Sequence, residues 1–194
     1  MGEVVYLTGS PASGKSSLCE LLEASIAGLQ AYSYSKLLRD YLNRRRDNNI
    51  DEAGIRQHSA RVVTRADVDA VDRWLIGEVQ VRRSERHLVI DSHPVTKERY
   101  GFRVTPFTVE QLRALNPDVI VCLYIDPAET KSRIAKDAAG RPLPSDFEIG
   151  MHAELQAALA IQYAMLLGIP CYLLDSSVAR AELVTKLCDV AGIS

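Results

Sequence analysis

The sequence predicts an α/β fold: a mostly parallel, five-stranded sheet as the middle of three layers, with helices on both faces. Three observations predict it. Continuous apolar runs at 4–7, 88–90 and 119–125 read as strands buried on both faces. Segments of helical periodicity separate them, the pattern of a parallel sheet with crossover helices. Between the first strand and the first helix stands Gly9-Ser10-Pro11-Ala12-Ser13-Gly14-Lys15-Ser16, which fits the phosphate-gripping pattern G-x-x-x-x-G-K-[ST].

That loop carries the sharpest chemistry in the chain. Gly9 and Gly14 let the backbone wrap closely, so N–H groups point at phosphate oxygens, joined by Ser13, Ser17 and the following helix N-terminus. Lys15 supplies a mobile charge for the β- and γ-phosphates, and the Ser16 hydroxyl is placed to ligate Mg²⁺. ATP and Mg²⁺ are therefore the expected cofactors.

Composition sets outer bounds. At 194 residues, with 47% hydrophobic, the chain has the size of one domain with a sizeable core. A net charge of −2 argues against a dedicated nucleic-acid binder, which leaves nucleic acid possible as a partner and not favoured. The charge is uneven: residues 31–105 hold 15 Lys/Arg against 11 Asp/Glu, and residues 106–194 hold 7 against 11. A basic middle segment suits an anionic substrate, and equally a set of solvated helix faces. Cys19, Cys122, Cys171 and Cys188 form no C-x-x-C pair and point to a reducing compartment. No signal peptide or membrane span is recognised, so the expectation is a cytoplasmic protein without membrane contact. The oligomeric state stays open.

Along the chain, Leu18, Leu21, Leu22, Ile26 and Leu29 mark the inner face of the first helix, with Gly28 as its C-cap. A second strand is expected at 31–34. Ser35 is a cap for a helix through Leu37, Leu38, Tyr41 and Leu42, with Arg44, Arg45 and Arg46 beyond it and a loop at Asp47-Asn48-Asn49. Helices fill 51–86, broken or capped at Thr64 to Asp67, with Trp74 read as core. The strand at 88–90 ends on Asp91. Residues 92–107, with Lys97, Arg99 and Arg103, read as a long irregular loop of functional length.

Thr108 caps a short helix, and residues 119–125 are the central-strand candidate. Asp126-Pro127-Ala128-Glu129 is a helix start, and that helix is expected to stop at Gly140. Ser145 and Glu148 form a capping box for a helix burying Leu155, Leu159, Tyr163 and Leu166 and ending at Gly168. A strand at 171–174 and a helix marked by Leu183, Leu187 and Val190 close the chain. The phosphate loop, Asp91, the 92–107 segment and Asp126 all fall at strand C-terminal ends, where ligands bind in such sheets.

On these residues the chain resembles the nucleoside monophosphate kinases of the P-loop NTPase fold, and among them the archaeal-type adenylate kinase family. Ser35-Lys36-Leu37-Leu38-Arg39 resembles that family's first monophosphate-binding helix. Val89-Ile90-Asp91-Ser92-His93 and Tyr100-Gly101-Phe102 resemble its V-I-V-D-T-H and G-Y stretches. Leu115-Asn116-Pro117-Asp118-Val119-Ile120-Val121 resembles its strand leading to the lid, and Tyr163 to Gly168 its A-Y-x-x-L-x-G segment. The resemblance implies one kinase domain over 1–194, with an acceptor-binding helical region at about 35–87 and a short lid at about 137–146.

It also implies roles. Lys15 holds phosphates, Asp91 stands near the Mg²⁺ bound by Ser16, and Arg133 and Arg141 stabilise the transferring phosphoryl group. Arg39 would bind the acceptor phosphate, Arg61 aligns loosely with another acceptor-site arginine, and His93 and, by its location alone, Arg103 are further acceptor-site candidates. The implied activity is ATP- and Mg²⁺-dependent phosphoryl transfer to a small-molecule acceptor, AMP first. The alternatives are another acceptor (a different nucleotide, a metabolite, a polynucleotide 5′-hydroxyl) or an ATP-binding switch acting on a partner. One departure bears on the acceptor. No Lys or Arg lies between Arg141 and Arg180, and Gln156-Ala157 stands where the family has Asn-Arg.

Overall fold

In the computed structural model of the chain, residues 1–46, 63–98, 100–136 and 143–193 are described. The sequence readings at Asp47 to Val62, Arg99, the 137–142 part of the lid segment and Gly140 fall outside them. So do two candidate site residues, Arg61 and Arg141.

The main sheet is five-stranded in the order β2-β3-β1-β6-β7. Its strands are β1 (Val4–Gly9), β2 (Leu29–Ser33), β3 (His87–Asp91), β6 (Val119–Tyr124) and β7 (Cys171–Asp175), and every pairing is parallel. Strand β1 is therefore the centre, and β6 is its neighbour. The longer apolar run of β6 reflects burial on both faces, a property shared by every interior strand and so silent on which one is central.

Two-residue alternation divides the core between the two faces. Val4 and Tyr6 face one side with Leu88, Ile90, Ile120 and Cys122, against α3 (Arg65–Arg82), α4 (Val109–Leu115) and α6 (Asp146–Leu167). Val5 and Leu7 face the other with Val89, Val121 and Leu123, under α1 (Lys15–Ser25) and α7 (Arg180–Ala191). Each fully buried Leu or Ile in these layers contributes about 1.5–3 kcal/mol. A smaller cluster of Leu38, Leu42, Val63 and Val71 joins α2 (Tyr34–Arg46) to α3.

Local signals place most helix starts. Thr64, Thr108 and Ser145 each make a full capping box, and Asp126 accepts from the Ala128 N–H with Pro127 at N1 of α5 (Pro127–Ala135). Gly168 closes α6 in the left-handed conformation at φ 68°.

Several readings are corrected. Helix α1 ends at Ser25 with Ile26 as its cap, and Gly28 serves the turn beyond at φ 77°. Helix α2 begins at Tyr34, so Ser35 lies in its first turn, 3.2 Å from Ser33 Oγ, and Arg44, Arg45 and Arg46 are inside it. Trp74 is 49% exposed and meets Tyr32 edge-on at 6.2 Å.

The 92–107 stretch is not irregular throughout its described residues. It holds an antiparallel hairpin of β4 (Val95–Glu98) and β5 (Gly101–Val104), whose backbone pairing needs no apolar alternation. Finally, α6 buries Ile149, His152, Gln156, Ala160 and Tyr163, while Leu166 is exposed. That helix is apolar nearly all round, so periodicity could not choose its face.

Candidate phosphate-binding site

Strand β1 delivers the loop from the middle of the sheet directly into α1. Two backbone features shape it. Gly9 has φ 147° beside Leu123 of β6, and a Cβ there would lie 2.5 Å from the Leu123 carbonyl oxygen. Ala12 takes φ 61° and Gly14 φ 86°, so the loop reverses through left-handed residues, freely at the glycine and with strain at Ala12 that surrounding structure must hold.

Gly14 caps α1 without any side-chain hydrogen bond, and the first turn carries no acid. The orphan N–H groups and the positive helix end are thus left for an anion. Helices α3, α4, α5 and α6 all receive a side-chain cap instead.

Lys15 is buried and folds back over its own loop. Its Nζ donates to Gly9 O at 2.8 Å, to Ser10 O at 3.1 Å and to Ser13 Oγ at 3.4 Å. Ser13 is fully buried, Ser16 is exposed in the first turn of α1, and Ser17 Oγ donates to Gly14 O at 3.0 Å. A second cation arrives from α5. Arg133 Nη1 donates to Ala12 O at 3.3 Å, while Nε is held by Glu129 at 3.0 Å.

Asp91 is buried at the end of β3, in register with Leu7 of β1. Its charge reaches Cys19 on α1, where burial first and Asp91 second push the thiol pKa up. By two-residue alternation Asp91 shares the sheet face of Val89 and Leu7, the face that α1 covers.

The described acceptor-site candidates lie on three other segments. Arg39 is on α2, with Nε and Nη2 each 3.2 Å from Asp40 of the same helix. Arg103 is on β5 and pairs with Glu98 across the hairpin turn at 3.5 Å. His93 is half-buried just after β3.

Sequence reasoning missed three residues at the site. Gln156 is buried on α6, where Oε1 accepts from Val95 N at 3.3 Å and Nε2 donates to Thr8 Oγ1 and Gly9 O, both at 3.3 Å. It ties the hairpin to the entrance of the phosphate loop. His152, one turn earlier, lies 2.9 Å from Val95 O through Nε2, and burial pushes its pKa down. Arg180, at the start of α7, lies against Gly14. A buried polar stripe at 152 and 156 was the available signal for the first two. Nothing local marks Arg180.

A sheet of parallel strands, a glycine-bounded loop, an inward lysine and an uncapped helix end define a P-loop protein that grips nucleotide phosphates. A family model described as an AAA domain (AAA_17) matches residues 8–148, and the chain belongs to this family. It is similar to an adenylate kinase of Methanopyrus kandleri, 24% identical over 187 residues, covering 94% of this chain and 93% of that one. It is also similar to an adenylate kinase of Methanothermobacter thermautotrophicus, 29% identical over 99 residues, covering 50% of this chain and 53% of that one. Among solved structures, shikimate kinase from Acinetobacter baumannii in complex with shikimate superposes with a TM-score of 0.61 at 16% identity, covering 97% and 92% of the two chains. That likeness concerns the fold. No helix among the described residues is long and apolar enough to cross a membrane.

Proposed function

We propose that the protein is an ATP- and Mg²⁺-dependent phosphotransferase acting on a small acceptor, with a nucleoside monophosphate, AMP first, as that acceptor. The observation that carries the reading is the phosphate loop with two cations on it from separate elements: Lys15 folded over the loop and Arg133 docked on Ala12. Phosphoryl transfer needs little covalent chemistry. It needs anions held in line and positive charge on the moving group.

In this reading, N–H groups of the loop and of α1 hold the donor phosphates, with Gly9, Ser13, Gly14, Lys15, Ser16 and Ser17 shaping the cradle. Lys15 exchanges its carbonyl partners for phosphate oxygens. Arg133 moves charge onto the transferring group. Arg141 adds to it from the lid at about 137–146. Arg39 and Arg61 face the acceptor from the helical region at about 35–87, joined by His93 and Arg103 from the segment that follows β3.

The donor set fits Mg²⁺. An exposed Ser16 hydroxyl and a buried Asp91 carboxylate lie on α1 and on the strand end facing it, both hard oxygen donors. Mg²⁺ keeps waters and takes phosphate oxygens alongside few protein ligands. When bound it neutralises charge on the phosphates.

A non-AMP acceptor is the second reading. It is favoured by the absence of Lys and Arg from 142–179 and by Arg39 being engaged with Asp40. The test is ADP release from Mg-ATP against AMP, CMP, UMP, GMP, the deoxy forms and a 5′-hydroxyl oligonucleotide. Turnover dependent on one monophosphate, abolished in Lys15→Ala with its thermal midpoint retained, is the expected result. Full activity in Lys15→Ala overturns the reading. ATP binding with no acceptor dependence moves the assignment to a switch protein.

A further inference from the structure

The last helix carries a cation that the chemistry above does not use. Arg180 is the first residue of α7, and its guanidinium crosses to the start of α1. There it covers Gly14. A Cβ built on Gly14 would lie 2.6 Å from Arg180 Nη1 and 2.7 Å from Cζ.

Arg180 Nη1 is buried and has no hydrogen-bond partner among the described residues. Arg133 reaches the neighbouring Ala12 on the same loop. Two guanidiniums thus flank one short turn. Arg133 has a carboxylate, Glu129, and the Arg180 pKa is lowered by burial first and by the Arg133 charge second.

Arg180 is half-buried, and a guanidinium with one buried donor left unmet beside another cation is unfavourable in isolation. The guanidinium fork matches phosphate oxygens, and an anion in this place would satisfy it. The loop beneath it has the uncapped helix end and the lysine that bring such an anion.

We propose that Arg180 contacts the donor nucleotide, closing with Arg133 a two-arginine clamp over the phosphate loop. The clamp supplies from α7 the positive charge that is absent from residues 142–179. This deepens the phosphotransferase reading and rests on it. A merely structural role differs in one respect. A structural arginine stabilises the empty protein, whereas this one holds a buried, unmet donor beside a second cation until nucleotide arrives.

The experiment is ATP binding by calorimetry at low and high salt, with nucleotide-free thermal melts, on the parent chain, Arg180→Ala, Arg180→Lys and Lys15→Ala. The expected result is a tenfold or larger loss of ATP affinity in Arg180→Ala, smaller at high salt and partly restored by Lys. Its nucleotide-free melting midpoint stays equal to the parent's or rises. Parent-like ATP affinity in Arg180→Ala overturns the inference, and so does a loss of affinity that comes with a lower nucleotide-free midpoint. If the parent binds ATP and Lys15→Ala does not, a parent-like Arg180→Ala removes this inference alone. A parent chain that binds no ATP removes the phosphotransferase reading with it.

Discussion

Gln156→Ala is the most informative single change in the scaffold. The side chain is 1% exposed and connects three places: Val95 on the hairpin, Thr8 on β1 and Gly9 at the loop entrance. Two of its acceptors keep other options, since Gly9 O already accepts from Lys15 and the Thr8 hydroxyl can rotate. The Val95 N–H is the group left stranded, at a cost of about 1–3 kcal/mol. The space vacated by the amide adds of order 1 kcal/mol. The sum is about 2–4 kcal/mol, which lowers the thermal midpoint of a chain this size by roughly 5–15 °C. Thermal unfolding by circular dichroism reads the shift, and saturating ATP recovers only part of it by mass action. A midpoint within about 2 °C of the parent would refute the argument, because it would mean that the amide is not the partner of Val95.

Other expectations follow from the same region. Gly9→Ala forces a Cβ onto the Leu123 carbonyl at φ 147°. Strain of about 1–3 kcal/mol lowers the melting midpoint by roughly 2–12 °C and ATP binding is lost, checked by melting and calorimetry. A parent-like Gly9→Ala contradicts the close approach of β1 and β6. His152 is kept neutral by burial, with its pKa lowered from the usual 6.5. Its contribution to stability is fully present above the unfolded value and is lost as pH falls through the folded one. Urea unfolding between pH 7.5 and pH 5 therefore shows a decline in the parent that His152→Asn lacks. An identical pH slope in both proteins counts against a buried neutral imidazole.

Local chemistry was legible in the chain because it is written within a few residues. The loop from Gly9 to Ser16, the boxes at Thr64, Thr108 and Ser145, and the Asp126-Pro127 start are each complete within four to eight positions. The strands at β1, β3 and β6 announced themselves because burial on both faces demands unbroken apolar runs. The hairpin of β4 and β5 did not, since Thr96, Lys97, Glu98 and Arg103 leave too few apolar residues to make a pattern.

The sequence by itself determined the layered α/β class and the phosphate loop between the first strand and the first helix. Tertiary structure alone decided that β1 is the centre of the sheet, because strand order follows from crossovers and not from hydropathy. It alone chose the face of α6, turning Gln156 inward where leucines were expected. And it alone brought Arg180 to Gly14, 166 positions away in number, because β7 and α7 return the chain to the first helix. Such meetings depend on where whole elements pack, and no short stretch of sequence contains that information.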